Sequence, residues 1–173
     1  MVCHWVEKAL ARHREELAGE HPWGDAGQLG LAILFGVVWT VDTLFLHYTT
    51  FLNRYVPSAV RLPLAFVFIC ASGYLAQRGI LIMFGERGKE GKVIEKDVYS
   101  LVRHPIYLGE ILLYVGFLVF SLSLAAAVVW FAVIAFLHHI SRYEERLLLE
   151  RFGGAYEEYR REVPMWIPRL WEC

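Results

Sequence analysis

The sequence predicts an all-α integral membrane protein with about four transmembrane helices, the last two forming a C-terminal hairpin. Three observations predict it. Of the 173 residues 57% are hydrophobic and the mean hydropathy is +0.40, more apolar surface than a soluble domain of this size buries. Four apolar segments alternate with polar or charged stretches. Lysine and arginine gather in alternate connections, the distribution that keeps short loops in the cytoplasm. The chain, residues 1–173, reads as one membrane-embedded domain. Residues 1–25 form an amphipathic N-terminal segment, 29–84 the first two spans, and 85–173 a connecting loop, the hairpin and a polar tail with further cytoplasmic helices.

The N-terminal stretch carries Glu7, Lys8, Arg12, Arg14, Glu15 and Glu16 where a secretory signal needs an apolar core, so no cleaved leader is expected. Val6, Leu10, His13 and Leu17 fall near helical spacing, which suits a helix lying on the membrane surface, and His21 to Gly24 break it. A bilayer core needs roughly 20 helical residues. The segments from about Leu29 to Tyr48 and Leu62 to Phe84 meet that length. Ile106 to Phe120 and Leu124 to Ile140 are shorter and joined by Ser121 to Ser123, which reads as a hairpin turn. Gly153 and Gly154 break the tail helix, after which Tyr156 and Tyr159 pack under the connecting loop.

The first inter-helix loop holds Arg54 and Arg61, whereas Arg87, Lys89, Lys92, Lys96 and Arg103 precede the hairpin and Arg142, Arg146, Arg151, Arg160, Arg161 and Arg169 follow it. Both termini are therefore expected on the cytoplasmic side. With 17 Lys and Arg against 18 Asp and Glu there is no basic field to attract nucleic acid. Cys3, Cys70 and Cys173 show neither a C-x-x-C nor metal-ligand spacing, and the adjacent His138 and His139 point to different helix faces, so no metal site is expected.

The mouth of the third segment reads LVRHPIYLGE, Leu101 to Glu110. At about 1.5 Å per residue, a hairpin turning near Leu122 returns Ile140 to the depth of His104, with Glu144 and Glu145 one turn further out. Arg103, His104, Tyr107, Glu144 and Glu145 are thus expected around one pocket. Pro105 suits the first turn of a helix whose positive dipole end favours an anionic group. Arg78 and Glu110 are charges within apolar segments and functional candidates on that ground, Arg78 also being able to snorkel; Asp42 suits interhelical pairing or capping. Trp166 and Trp171 read first as interface belt residues and second as pocket walls.

In order and spacing, RHPIYLGE, an apolar hairpin and RYEERLLLERFGGAYEEYRREVPMWIP resemble the isoprenylcysteine carboxyl methyltransferase and phospholipid methyltransferase family of integral membrane enzymes. That family's pattern is R-H-P-x-Y-x-G, a hairpin, E-E and F-G-x-x-Y-x-x-Y. The likeness covers about the C-terminal half, with LAQRGILIMFG, including Arg78, similar to the preceding helix. It implies S-adenosylmethionine as methyl donor and a lipid or lipid-linked acceptor entering from the membrane. The cofactor-binding residues implied are Tyr99, Arg103, His104, Pro105, Tyr107, Gly109, Glu144 and Glu145. The helix start with Arg103 or His104 would receive the methionine carboxylate, a glutamate the ribose hydroxyls or amino group, and Tyr107 or Tyr99 the adenine or sulfonium. Gly109 would let the cofactor or a neighbouring helix come close. The catalytic candidates are Arg78 and Arg103, as cations beside a carboxylate acceptor, and Glu110, which with Glu144 or His104 could be the base that an amine acceptor needs to lose its proton. Prenylcysteine carboxylate, phospholipid amine and a small thiol all remain open as acceptors. Two other classes stand beside this one: a sterol-type membrane reductase using NADPH, which carries a related motif on a longer chain, and a non-enzymatic transporter or scaffold.

Overall fold

A computed structural model describes residues 24–86 and 93–168, so the amphipathic segment proposed for residues 1–25 lies almost entirely outside the described residues, as does Trp171. Among the described residues, four long helices run alternately between two ends. Helix α1, Gly24–Thr40, continues through a wide π-type turn, Val41–Leu46. After a single 3-10 turn, Phe51–Arg54, helix α2 spans Ser58–Glu86. The short α3, Val98–Leu101, precedes α4, Pro105–Ser121, and α5, Leu124–Phe152; α6, Gly154–Glu162, closes the order. Gly24–Leu46, Ser58–Gly85 and Leu124–Phe152 are long and apolar enough to cross a bilayer, and Pro105–Ser121 is a shorter apolar helix packed among them.

The side chains are distributed as in a protein dissolved in lipid. Leu29, Phe45, Phe66, Val128 and Phe131 stand exposed on the outer surface. Phe35, Ile111, Tyr114, Ala126, Val133 and Leu137 form the buried centre where α1, α4 and α5 meet. Helix α2 packs along α4, and α1 packs on α5. The α2–α4 approach is close because Gly109 has no side chain: a Cβ there would sit 3.1 Å from the Ser72 carbonyl oxygen and 3.3 Å from the Ala76 nitrogen.

The hairpin turn forms where the serines interrupt the apolar run. Leu122 takes the left-handed conformation (φ 48°, ψ 35°) that ends α4, and the Ser123 hydroxyl caps α5 by accepting from the Ala126 N–H at 3.2 Å. Asp42, 5% exposed, fastens α1 to this turn, accepting from the Ser123 and Thr49 hydroxyls at 2.5 Å each and from the Thr49 N–H at 3.1 Å. It thus performs the interhelical pairing expected of it. Helix α5 runs unbroken past Ile140, because Arg142 to Glu150 are good helix formers that leave the apolar layer without leaving the helix. It stops at Gly153, whose φ of +56° suits a residue with no Cβ, and α6 starts there at a new angle.

Candidate functional site

The end of the bundle opposite the hairpin turn is built on the start of α4. Pro105 opens that helix with its φ already helical, and His104 precedes it in non-helical backbone (φ −123°, ψ 67°). The tail passes beside this entrance: the Arg103 N–H donates to the Pro164 carbonyl at 2.9 Å and the His104 N–H to the Met165 carbonyl at 3.3 Å. The Arg103 side chain holds the same segment. Its Nη1 donates to the carbonyls of Arg160 (2.9 Å) and Val163 (2.5 Å), while Nε and Nη2 lie 2.8 and 2.7 Å from Glu145 Oε1. Beyond it Tyr156, Tyr159 and Val163 bury themselves against Val93, Leu148, Leu149 and Phe152, and the Tyr159 hydroxyl donates to the Tyr99 carbonyl at 2.7 Å. Burial pushes the Tyr99 phenol up to about 12, with the Glu144 charge adding to it, and burial also raises Tyr156 and Tyr159, so all three stay neutral at physiological pH.

The acidic pair of α5 arrives under this cap. The Tyr107 hydroxyl donates to Glu144 Oε1 at 2.5 Å, and His104 Nδ1 lies 3.6 Å from Glu144 Oε2. The imidazole stacks on the Tyr107 ring, with centroids 5.7 Å apart and planes 11° from parallel. His104 Nε2 is 3.5 Å from Glu145 Oε1 but out of hydrogen-bonding alignment, and this buried atom has no hydrogen-bond partner. Ser141 Oγ and Trp166 Nε1 are likewise buried without one. Ser141 is one helical turn before Glu145 on the same face of α5, and Trp166 follows the Met165 carbonyl that the His104 N–H meets. Trp166 packs on the apolar centre and meets His138 edge-on at 5.7 Å, so it is a wall of this region rather than a belt residue at the lipid surface.

The structure thus brings Arg103, His104, Pro105, Tyr107, Glu144 and Glu145 together, with Tyr99 in the adjoining cap. Gly109 faces α2. Arg78, its side chain 44% exposed, forms an ion pair with Asp97 that ties α2 to the segment before α3. Glu110 turns toward α1, accepting from Gln28 Nε2 and, at 2.9 Å, from the Tyr114 hydroxyl. Ser141 was not singled out as a site residue, though its i,i+4 relation to Glu145 could have found it, whereas Trp166 was read second as a pocket wall and reaches this region through the tail.

Comparison with known proteins adds to this geometry. The family described as "Protein of unknown function (DUF1295)" matches residues 65–163, from within α2 to just past α6. The chain is 38% identical over 80 residues to Methanethiol S-methyltransferase 2 of Bradyrhizobium diazoefficiens, covering 42% of this chain and 27% of that protein. It is 29% identical over 143 residues to the Protein-S-isoprenylcysteine O-methyltransferase of Schizosaccharomyces pombe, covering 72% and 56%. It is 34% identical over 84 residues to Protein-S-isoprenylcysteine O-methyltransferase B of Arabidopsis thaliana, covering 47% and 42%. The chain therefore spans 27–56% of the length of these curated relatives.

Proposed function

The chain belongs to the DUF1295 family, and with its relatives to the integral membrane methyltransferases of the isoprenylcysteine carboxyl and phospholipid type; on that premise we propose that it transfers a methyl group from S-adenosylmethionine to a hydrophobic or lipid-linked acceptor. The observation that carries this reading is the meeting of Arg103, His104, Tyr107, Glu144 and Glu145 at one end of the bundle, where His104 Nε2, Ser141 Oγ and Trp166 Nε1 are buried without a hydrogen-bond partner, as Thr43 Oγ1, Asn53 Oδ1 and Trp130 Nε1 are elsewhere. Buried polar atoms are normally satisfied, so the three beside the acidic pair suit a ligand with complementary groups.

The donor set fits the methyl donor. Trp166 Nε1 is a donor only, and Ser141 and His104 also donate, which suits carboxylate and ribose oxygens; Glu144 accepts, which suits an ammonium or ribose hydroxyls. The positive end of α4 adds to the pull on an anionic group. When bound, S-adenosylmethionine supplies an electrophilic methyl on a sulfonium. What the chain contributes is placement: the stacked His104 and Tyr107 rings fix one wall, Glu144 holds the Tyr107 hydroxyl, and Arg103 keeps the tail closed to exclude water. Within this proposal the site end faces the cytoplasm, since Arg103, Arg142, Arg146, Arg160 and Arg161 lie there against Arg54 and Arg61 at the hairpin end. The acceptor then enters from the lipid, and the names of the relatives bring a prenylcysteine and a small thiol within range.

Calorimetric titration of the purified protein tests the reading. S-adenosylmethionine or its demethylated product binds, and Glu144→Gln and His104→Ala each weaken that binding at least about tenfold, or 1.4 kcal/mol. Glu144 is the better acid to change because Glu145 also anchors Arg103. Wild-type protein that binds reduced nicotinamide cofactor, or neither ligand, overturns the proposal.

A further inference from the structure

We propose that Arg142 and Arg146 hold the phosphate of an anionic glycerophospholipid in the leaflet on the His104 side, with the apolar outer face of α5 receiving its acyl chains. At about 100° per residue, Val128, Phe131, Arg142 and Arg146 fall within about 60° of one another, and all four are exposed. Val133, Leu137, Ile140 and Ser141 are buried on the opposite side of the helix. Helix α5 therefore carries one outward stripe, apolar along the bilayer and cationic where it leaves. A phospholipid has the same order, hydrocarbon and then phosphate.

Depth decides which part of the lipid the arginines meet. From Leu124 to Leu137 every residue of α5 is apolar, and His138 and His139 are the first polar ones. The tail marks the same level independently: Trp166 meets His138 edge-on at 5.7 Å, and its neighbour Ile167 is 82% exposed, an apolar side chain that suits lipid better than water. At about 1.5 Å per residue, Arg142 lies about 4.5 Å beyond His139 and Arg146 about 10.5 Å, against a headgroup layer roughly 5–8 Å deep. Helix α5 leaves the bilayer at its C-terminal end, so its Cα–Cβ bonds tilt back toward the membrane and both long side chains lean into that layer. Glu150, the next charge along the stripe, stands about 16.5 Å out and clear of it.

The two guanidinium groups are open to an anion. Glu144 and Glu145 turn inward to Tyr107 and Arg103, and among the described residues no acid is ion-paired with Arg142 or Arg146. Arg146 engages its Nε with the Arg142 carbonyl at 3.4 Å and rests over the Tyr143 ring at 5.8 Å, which leaves its terminal nitrogens to donate to phosphate oxygens. Two arginines one turn apart suit a single phosphodiester, each adding about fivefold to the preference for an anionic lipid.

Native mass spectrometry of the purified full chain, released from micelles holding equal amounts of dioleoylphosphatidylglycerol and dioleoylphosphatidylcholine, reads the occupant directly. The wild-type chain is expected to retain the anionic lipid at least tenfold over the neutral one. Arg142→Gln and Arg146→Gln each lower that ratio about fivefold, and the double substitution brings it within twofold of unity. Arg151→Gln removes the same charge from the end of α5, away from the stripe, and leaves the ratio within twofold of wild type. Inorganic phosphate does not displace the lipid, because its chains are held as well. Equal retention of the two lipids, an equal loss in Arg151→Gln or a double variant that keeps the wild-type ratio overturns the assignment. Displacement by inorganic phosphate overturns it too, by reducing the stripe to a site for a free anion. So does a lipid-free dimer that dissociates in the double variant, since the face then belongs to a second copy. If the double variant does not fold, the two single substitutions decide.

Discussion

Removing the Arg103 side chain breaks a buried ion pair and its hold on the tail. That side chain is 9% exposed and that of Glu145 2%, with two guanidinium nitrogens within 2.8 Å of one carboxylate oxygen. Arg103→Met strands that carboxylate and abandons the carbonyls of Arg160 and Val163. Breaking a buried pair from one side costs roughly 3–5 kcal/mol, most of it the penalty on the charge left behind. The loss falls on the tail, because two of the side-chain contacts Arg103 makes are to the carbonyls of Arg160 and Val163. Three kcal/mol is on the order of a hundredfold in the opening equilibrium of that segment. Hydrogen exchange of α6 and residues 163–165 in detergent measures it directly. Glu145→Gln alone should also open the tail, whereas Arg103→Met with Glu145→Gln should recover about 2 kcal/mol relative to the sum of the single changes. Single-variant effects that add to within about 0.5 kcal/mol would show that the two side chains are not coupled, and the clamp would have to be abandoned.

Gly109→Ala places a methyl 3.1 Å from the Ser72 carbonyl, backbone that cannot swing aside, and is expected to destabilise by about 1–3 kcal/mol in denaturant titration; Gly73→Ala, with nothing within 4 Å, is expected to be neutral or slightly stabilising. Asp42→Ala leaves the buried Ser123 and the partly buried Thr49 donors without their acceptor and should cost about 1–3 kcal/mol by the same measurement, with donor binding unchanged because the network lies at the hairpin end. Alkali should open the tail cap: Tyr99 is pushed up to about 12 and Tyr156 and Tyr159 are raised as well, against about 10 when unfolded, so their contribution is complete below pH 10 and is lost as pH rises through 12. Tail proteolysis that does not change between pH 9 and 12 contradicts that assignment.

The helices were legible in the sequence because apolar run length and the serines at 121 and 123 report bilayer thickness and a turn without reference to anything distant. The meeting of His104 with Glu144 and Glu145 was legible as well, since a hairpin of known rise per residue fixes which depths coincide. Contacts made by backbone were not. The partners of Arg103 in the tail are carbonyls, which every residue carries, so the motif names the guanidinium without revealing what it grips. The π-type turn at Val41–Leu46 is equally silent, because it inserts extra backbone into an apolar run whose composition does not change. For Arg78 the sequence left snorkelling and catalysis open, and the partner Asp97 lies across a charged loop with several acids to choose from.

Photocrosslinking of radiolabelled S-adenosylmethionine to the purified chain, followed by peptide mapping, addresses the donor site without relying on turnover. The account places the label on peptides containing His104 to Tyr107, Ser141 to Glu145 or Trp166, competed away by the demethylated product and lost in His104→Ala. Specific label on α2 or at the hairpin end around Asp42 and Ser123, with none on those peptides, contradicts it.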